Sequence, residues 1–131
     1  MEKVVIILRG LQGSGKSTVA KLFNTKAICC ADDYFVHDGE YKWYGAGLPH
    51  AHAWSMRKCR RFMKKQARCI IIDNTSVRER DLVPYNDLAR QFGYIVHVLI
   101  VENRHGGVNS HGVSEEAIEK LRTRFMNNIK L

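Results

Sequence analysis

The sequence predicts an α/β fold, with a parallel sheet of about four strands and helices on both faces. Three observations carry this. Short apolar runs alternate with stretches of helical period. The first run, Lys3 to Leu8, is continuously apolar, as a parallel strand buried on both faces requires. It is followed by the glycine-rich string Gly10-Leu11-Gln12-Gly13-Ser14-Gly15-Lys16-Ser17 and then by a helix-forming segment.

The elements follow in order. Gly10 to Gly15 breaks the first strand, and Lys16 to Phe23 reads as a short helix. Lys26 to Ala31 is a second strand ending at Asp32 and Asp33. Val36 to His50 is a loop rich in glycine and aromatics. A helix spans about Ala51 to Gln66, with His52, Met56, Cys59 and Met63 recurring at helical spacing. Arg68 to Asp73 is a third strand. The next helix uses Leu82, Tyr85, Leu88 and Phe92 and stops at Gly93. Tyr94 to Val101 is a fourth strand. Ser114 caps a last helix, with Glu115 and Glu116 suiting its positive end and Ile118, Leu121, Phe125 and Ile129 as its buried stripe.

At 131 residues and 45% hydrophobic, the chain is expected to form one domain over residues 1–131. Cys29, Cys30, Cys59 and Cys69 show neither a CxxC pair nor zinc spacing, so they read as buried thiols. No signal-peptide pattern and no apolar stretch of membrane-spanning length is present. A reduced, soluble, cytoplasmic protein without a membrane partner is expected. The net charge of +8 favours an anionic partner: a nucleotide, a phosphorylated metabolite or nucleic acid.

Residues 10–17 satisfy G-x-x-x-x-G-K-[ST] in full, in the required strand–loop–helix setting. Gly10, Gly13 and Gly15 let successive amides, including that of Ser14, turn inward around phosphate oxygens. Lys16 is placed to reach the β- and γ-phosphates of ATP, and the Ser17 hydroxyl to ligate Mg²⁺. The helix N-terminus just behind, which carries Thr18, adds free amides and its dipole. A guanine-specific N-K-x-D element is absent, because Asn24-Thr25-Lys26-Ala27 lacks its Asp. The chain is also short for an oligomeric ATPase, which leaves a small kinase.

Asp32 and Asp33 close the second strand facing this loop. One would take the acceptor proton while the other caps the following turn, unless both are turn formers. Asp73 either holds Mg²⁺ through water or caps the turn at residues 74–76. His52 is either a packed histidine or a substrate contact. The cations from Arg57 to Arg68, Arg57 and Arg61 included, are either a solvated helix face or a polyanion contact. Tyr41, Trp43 and Tyr44 either stack on bases or form a local loop core.

Several strings occur together in the order of a known family. They are Gly13 to Thr18, Ala31-Asp32-Asp33-Tyr34-Phe35, Ala51-His52, Ile72-Asp73-Asn74-Thr75, Pro84-Tyr85, Gly93-Tyr94 and His111-Gly112-Val113. The chain resembles the P-loop kinase domain of the ubiquitin-ligase-binding, polynucleotide-kinase-like proteins, with phage 5′-polynucleotide kinase a more distant relative. The resemblance implies ATP as cofactor and Asp32 as general base, with Asp33, Tyr34, His52 and Asn74 near the acceptor. Relatives pair an Arg after Asp-Asp-Tyr with an Asp at the end of the third strand; Phe35 and Asn74 stand at those positions here. Their lid arginine falls at Val108, and Arg104 is the candidate replacement.

Together these readings predict a P-loop NTPase fold with strand order 2-3-1-4. The predicted activity is an ATP- and Mg²⁺-dependent kinase acting on a hydroxyl of a nucleic acid or nucleic-acid component. A small-molecule kinase and a nucleotide-dependent binding module are the rival classes.

Overall fold

The computed structural model describes residues 2–107 and 112–130. In chain order its elements are β1 (Val4–Arg9), α1 (Lys16–Lys21), β2 (Ile28–Cys29), β3 (Val36–His37), β4 (Glu40–Tyr41), α2 (Leu48–Lys64), β5 (Cys69–Asp73), α3 (Glu79–Phe92), β6 (Ile95–Ile100) and α4 (Glu115–Met126). Four strands form one parallel sheet in the order β2-β5-β1-β6, which is the predicted 2-3-1-4 once the separate β3–β4 hairpin is set aside.

Strand side chains alternate between faces, so a sheet covered on both sides needs uninterrupted apolar strands. Val5, Ile7, Ile70 and Ile72 meet Cys59 and Met63 of α2 and Leu82, Tyr85 and Leu88 of α3. On the other face Ile6, Leu8 and Ile71 cluster with Ala20 of α1. Each fully buried Ile or Leu contributes about 1.5–3 kcal/mol, so this sandwich is the main stabilising unit. β6 is an edge strand, and Ile95, Val98, Leu99 and Ile100 are partly exposed on it. Among the described residues no helix is long and apolar enough to cross a membrane.

Three elements depart from expectation, each for a local reason. The second strand shrinks to two residues because the Ala31 N–H turns to Asn74 Oδ1 (2.8 Å) and the Asp33 N–H to Cys30 O (3.1 Å). Ala31–Phe35 is thus a 3₁₀ turn, and it carries Asp32 and Asp33. The expected loop at 36–50 holds the β3–β4 hairpin and a second 3₁₀ turn at Gly45–Gly47, both gathered around the fully buried Phe35. α2 begins earlier, at Leu48, with Pro49 in its first turn where a missing N–H costs nothing.

The buried stripe of α2 is Ala51, Ser55, Cys59 and Met63, not one beginning at His52. Ser55 belongs inside because its hydroxyl pairs with the Tyr85 phenol at 3.0 Å. The expected stripe of α4 buries only Phe125, and Ile129 lies beyond the helix end. Ser114 caps α4 as predicted, its Oγ accepting from the Ala117 N–H at 3.2 Å.

Candidate nucleotide site and adjoining cavity

Gly10 leaves β1 where a side chain would not fit: a Cβ there would lie 2.6 Å from Ser14 Oγ and 2.7 Å from Val101 O. Gly13 and Gly15 have φ of 83° and 99°, a region costly for other residues, and they turn the loop back onto α1. α1 has only six residues, so free amides rather than a long dipole face an anion here. The Lys16 ammonium donates to Leu11 O at 3.1 Å across the loop. The register of Leu8 against Asp73 brings the end of β5 beside the loop, and Ser17 Oγ donates to Asp73 Oδ2 at 2.9 Å. The Asp73 carboxylate is therefore directed at the phosphate loop, not at the 74–76 turn.

Burial dominates the electrostatics. It lowers the Lys16 pKa, against the opposing pull of Asp73, Cys30 and Asp32. It raises that of Asp73, against Ser17 and Lys16. The Cys30 thiol, buried beside Asp73, Asp33 and Asp32, is pushed up to about 12. A phosphate anion would compensate the buried cation, and Ser17 and Asp73 offer the oxygen donors that Mg²⁺ takes alongside phosphate and water. The buried Ser14 hydroxyl has no hydrogen-bond partner among the described residues, which fits a loop shaped for a ligand.

Around these groups lies a cavity of about 370 Å³, bounded by Gly15, Lys16, Ser17, Thr18, Asp33 and Asp73. A second cavity of about 490 Å³ opens beside it, and Gln12, Asp32, Asn74 and Thr75 line both. Asp32 accepts a long hydrogen bond from Tyr41 (3.5 Å), and burial followed by that carboxylate raises the Tyr41 phenol to about 12. Asp33 is exposed and borders the phosphate cavity but not the larger one. The first amide of the turn that holds both aspartates, that of Ala31, is taken by the carboxamide of Asn74, and the turn closes through its backbone from Asp33 N–H to Cys30 O.

The remaining predicted residues are divided. Asn74 is drawn in, bonded to Ala31 N and donating to the Tyr85 phenol (3.4 Å). His52 is exposed at the mouth of the larger cavity and is not packed in the core. Tyr34 lines neither cavity and packs edge-on against Phe35 and Trp54. Arg57 and Arg61 line neither; they lie about 8 and 14 Å beyond His52 along α2 at 1.5 Å per residue. Tyr41, Trp43 and Tyr44 surround Phe35 as a local core, with ring centroids 6.3, 6.3 and 5.4 Å from it.

The lid expectation also changes. Arg104 is exposed and paired with Glu102, away from the phosphate cavity. Its neighbour His105 lines that cavity instead: a Cβ on Gly15 would lie 3.3 Å from His105 Cε1. Asn103 pins this loop by exchanging two hydrogen bonds with the Gly107 backbone. Val108 and His111 lie outside the described residues. Gln12 and His105 line these cavities without having been singled out from the sequence, although Gln12 had a signal in lying inside the phosphate loop; Trp43, one of the stacking candidates, lines the larger cavity.

A glycine-turned loop against a parallel sheet, with Lys16, Ser17 and Asp73 converging, defines a P-loop nucleotide-binding domain. The family described as AAA domain matches residues 5–110. The chain belongs to that family, and its domain is a P-loop, kinase-like one. It is 33% identical to human NEDD4-binding protein 2 over 131 residues, covering 90% of this chain but only 7% of that protein. Two solved structures share the fold. Kti12 from Chaetomium thermophilum, in complex with ADP-AlF3, has a TM-score of 0.62 at 15% identity, covering 92% of this chain and 79% of its own. A chain of the AvrRxo1-ORF1:-ORF2 complex has a TM-score of 0.55 at 18% identity, covering 76% of this chain and 37% of its own.

Proposed function

We propose that residues 1–131 form a single kinase domain that transfers the γ-phosphate of ATP to a hydroxyl of a nucleic acid or nucleic-acid component. The observation that carries this reading is the position of Asp32, which lines both the phosphate cavity and the larger one beside it. A carboxylate at that junction is within reach of an acceptor hydroxyl pointed at the γ-phosphate.

Lys16 and the loop amides hold the phosphates in line, and positioning with charge stabilisation is most of what phosphoryl transfer asks of a protein. Asp32 orients the acceptor and accepts its proton. The acceptor oxygen bonds to the γ-phosphorus, the bond from that phosphorus to the β–γ bridging oxygen breaks, and ADP leaves. His105, over Gly15, presents an imidazole to the phosphates in the position expected of Arg104. Ser17 and Asp73 would hold Mg²⁺, which would supply neutralisation of the phosphate charge that develops during transfer.

Labelled ATP and a panel of hydroxyl acceptors test the reading. Transfer that is lost in Asp32→Asn while nucleotide binding persists is the expected result. Nucleotide binding without transfer to any acceptor would leave a binding module.

A further inference from the structure

We infer that the outward face of α2 binds the backbone of single-stranded nucleic acid, with the exposed aromatics that precede the helix stacking on its bases. This surface is separate from the nucleotide cavity, and its binding does not depend on the kinase reading.

The charge of the chain is gathered here. Residues 41–72 contain eight lysines and arginines and no aspartate or glutamate. The other residues contain thirteen of each sign, so the whole net charge of +8 arises in this span. Arg57, Arg60, Arg61, Lys64 and Lys65 are exposed, and Lys58 is half-buried. By helical geometry Arg57, Arg60, Arg61 and Lys64 fall within an arc of about 100° and along about 10 Å of the axis. That arc lies opposite the buried stripe of Ala51, Ser55, Cys59 and Met63.

The other helices show how this chain builds a solvated face. Arg90 pairs with Asp87 on α3, and Lys120 with Glu116 and Arg122 with Glu119 on α4, all at spacings of three or four residues. α2 contains no carboxylate to make such pairs. Its spacing instead sets Arg57 beside Arg60 and Arg61, and both of these beside Lys64, where like charges repel. The negative end of the helix offsets this for Arg61 and Lys64 in the last turn, but not for Arg57, Lys58 and Arg60 farther back. A row of bound phosphates would offset it for all of them.

The aromatics select which polyanion. Trp43 and Tyr44 pack on Phe35, yet remain 54% and 49% exposed. Tyr34 packs on the same ring at 5.5 Å and on Trp54 at 6.1 Å, and the Lys58 ammonium lies 5.3 Å from the Trp54 ring centre. Aromatic patch and basic face are therefore one continuous surface. Rings open to solvent beside a row of cations suit unpaired bases and their phosphates. A duplex keeps its bases stacked on one another and would leave the rings unused. A membrane surface would need the apolar side of α2, and Cys59 and Met63 of that side are in the core.

Fluorescence anisotropy of a labelled, mixed-sequence dodecamer tests this with the full chain, without ATP or Mg²⁺. The single strand should bind at least about threefold more tightly than the matching duplex. Arg57→Gln, Arg61→Gln and Lys64→Gln together should weaken single-strand binding about tenfold or more at physiological salt. They should also flatten its salt slope by about two units, at roughly 0.7 per phosphate contact. Arg90→Gln, Lys120→Gln and Arg122→Gln together remove the same charge elsewhere and should weaken it less than about twofold. Tyr44→Leu should weaken single-strand binding at least about threefold and leave duplex binding unchanged. An equal loss in the two triple variants would reduce the effect to net charge and overturn the inference. Tighter binding of the duplex, or of phosphatidylserine vesicles, would overturn it by giving the face to another partner, and no binding of the single strand would overturn it outright. Any of these results would leave phosphoryl transfer standing, and a failure of transfer would leave this binding untouched.

Discussion

Ser17 Oγ and Asp73 Oδ2 are joined at 2.9 Å, so the phosphate loop and the end of β5 meet through a hydroxyl and a carboxylate. Both oxygens suit a hard cation, and the pair is the point at which Mg²⁺ would enter. Asp73→Asn preserves shape but removes the charge. The expected outcome is a fall of about 10–100-fold in Mg²⁺-dependent ATP affinity, with affinity in excess chelator little changed. Calorimetric titration with and without Mg²⁺ checks this. An equal loss in both conditions would mean that Asp73 shapes the loop instead of serving the metal.

Lys16 is a half-buried cation lining the phosphate cavity. Lys16→Ala removes a charge-assisted contact to phosphate, so thermal stabilisation by ATP should largely disappear. The wild type should gain about 2.7 kcal/mol when ATP is present at 100 times its Kd. An unchanged ATP-induced shift in the variant would move the nucleotide site elsewhere.

Arg9 shows what the sequence left unread. It ends β1 with 2% exposure. Its guanidinium donates to Ser76 O (2.7 Å), Val77 O (3.2 Å), Asn128 O (3.2 Å) and Glu79 Oε1 (3.2 Å), and it lies 5.1 Å from the Phe125 ring centre. It thereby ties β1, the segment after β5 and the end of α4 together. Arg9→Ala strands those carbonyls and should cost about 3–5 kcal/mol. Arg9→Lys should recover only part of that, since one ammonium cannot reproduce the fork. Denaturant unfolding measures both, and a loss under 1 kcal/mol in Arg9→Ala would show the cluster to be incidental.

The contrast between Arg9 and Ile70 explains how much was legible. The sheet order and the phosphate loop were readable because parallel strands require runs such as Arg68 to Asp73, and the loop requires glycines at fixed spacing. The short β2 was not readable, because Asn74, distant in sequence, captures the Ala31 N–H. Ser55, and not the expected His52, lies on the buried stripe of α2, because a serine with a buried phenol partner can replace an apolar residue. The lid position was not readable for a similar reason: Arg104 finds Glu102 nearby and does not line the phosphate cavity, whereas His105 does.

His105→Ala should therefore slow transfer, while Arg104→Ala should stay within about twofold of wild type, since Arg104 is exposed, paired with Glu102 and lines neither cavity. The loop around them is held by Asn103 and Gly107, so neither change should alter stability. Single-turnover rates for the two variants decide the matter. A normal rate in His105→Ala with a loss in Arg104→Ala would restore the residue expected from sequence.

The two adjacent aspartates give the sharpest separation of chemistry from binding. Asp32 borders both cavities, whereas Asp33 is exposed and borders only the phosphate cavity. Asp32→Asn keeps the volume and removes both the negative charge and the proton acceptor. General-base contributions of this kind are typically about 10²–10⁴-fold, so single-turnover transfer should fall on that order. ATP affinity should move by less than about tenfold, because phosphate binding is carried by Lys16 and the loop amides. Asp33→Asn faces the same anions from an exposed position, where solvent screens its charge. It should change the rate by less than about tenfold and leave stability nearly unchanged, since its side chain is exposed. Nucleotide titration alongside single-turnover transfer for both variants separates these outcomes. Full activity in Asp32→Asn with collapse in Asp33→Asn would assign the base to the other carboxylate, and full activity in both would remove the pair from the mechanism.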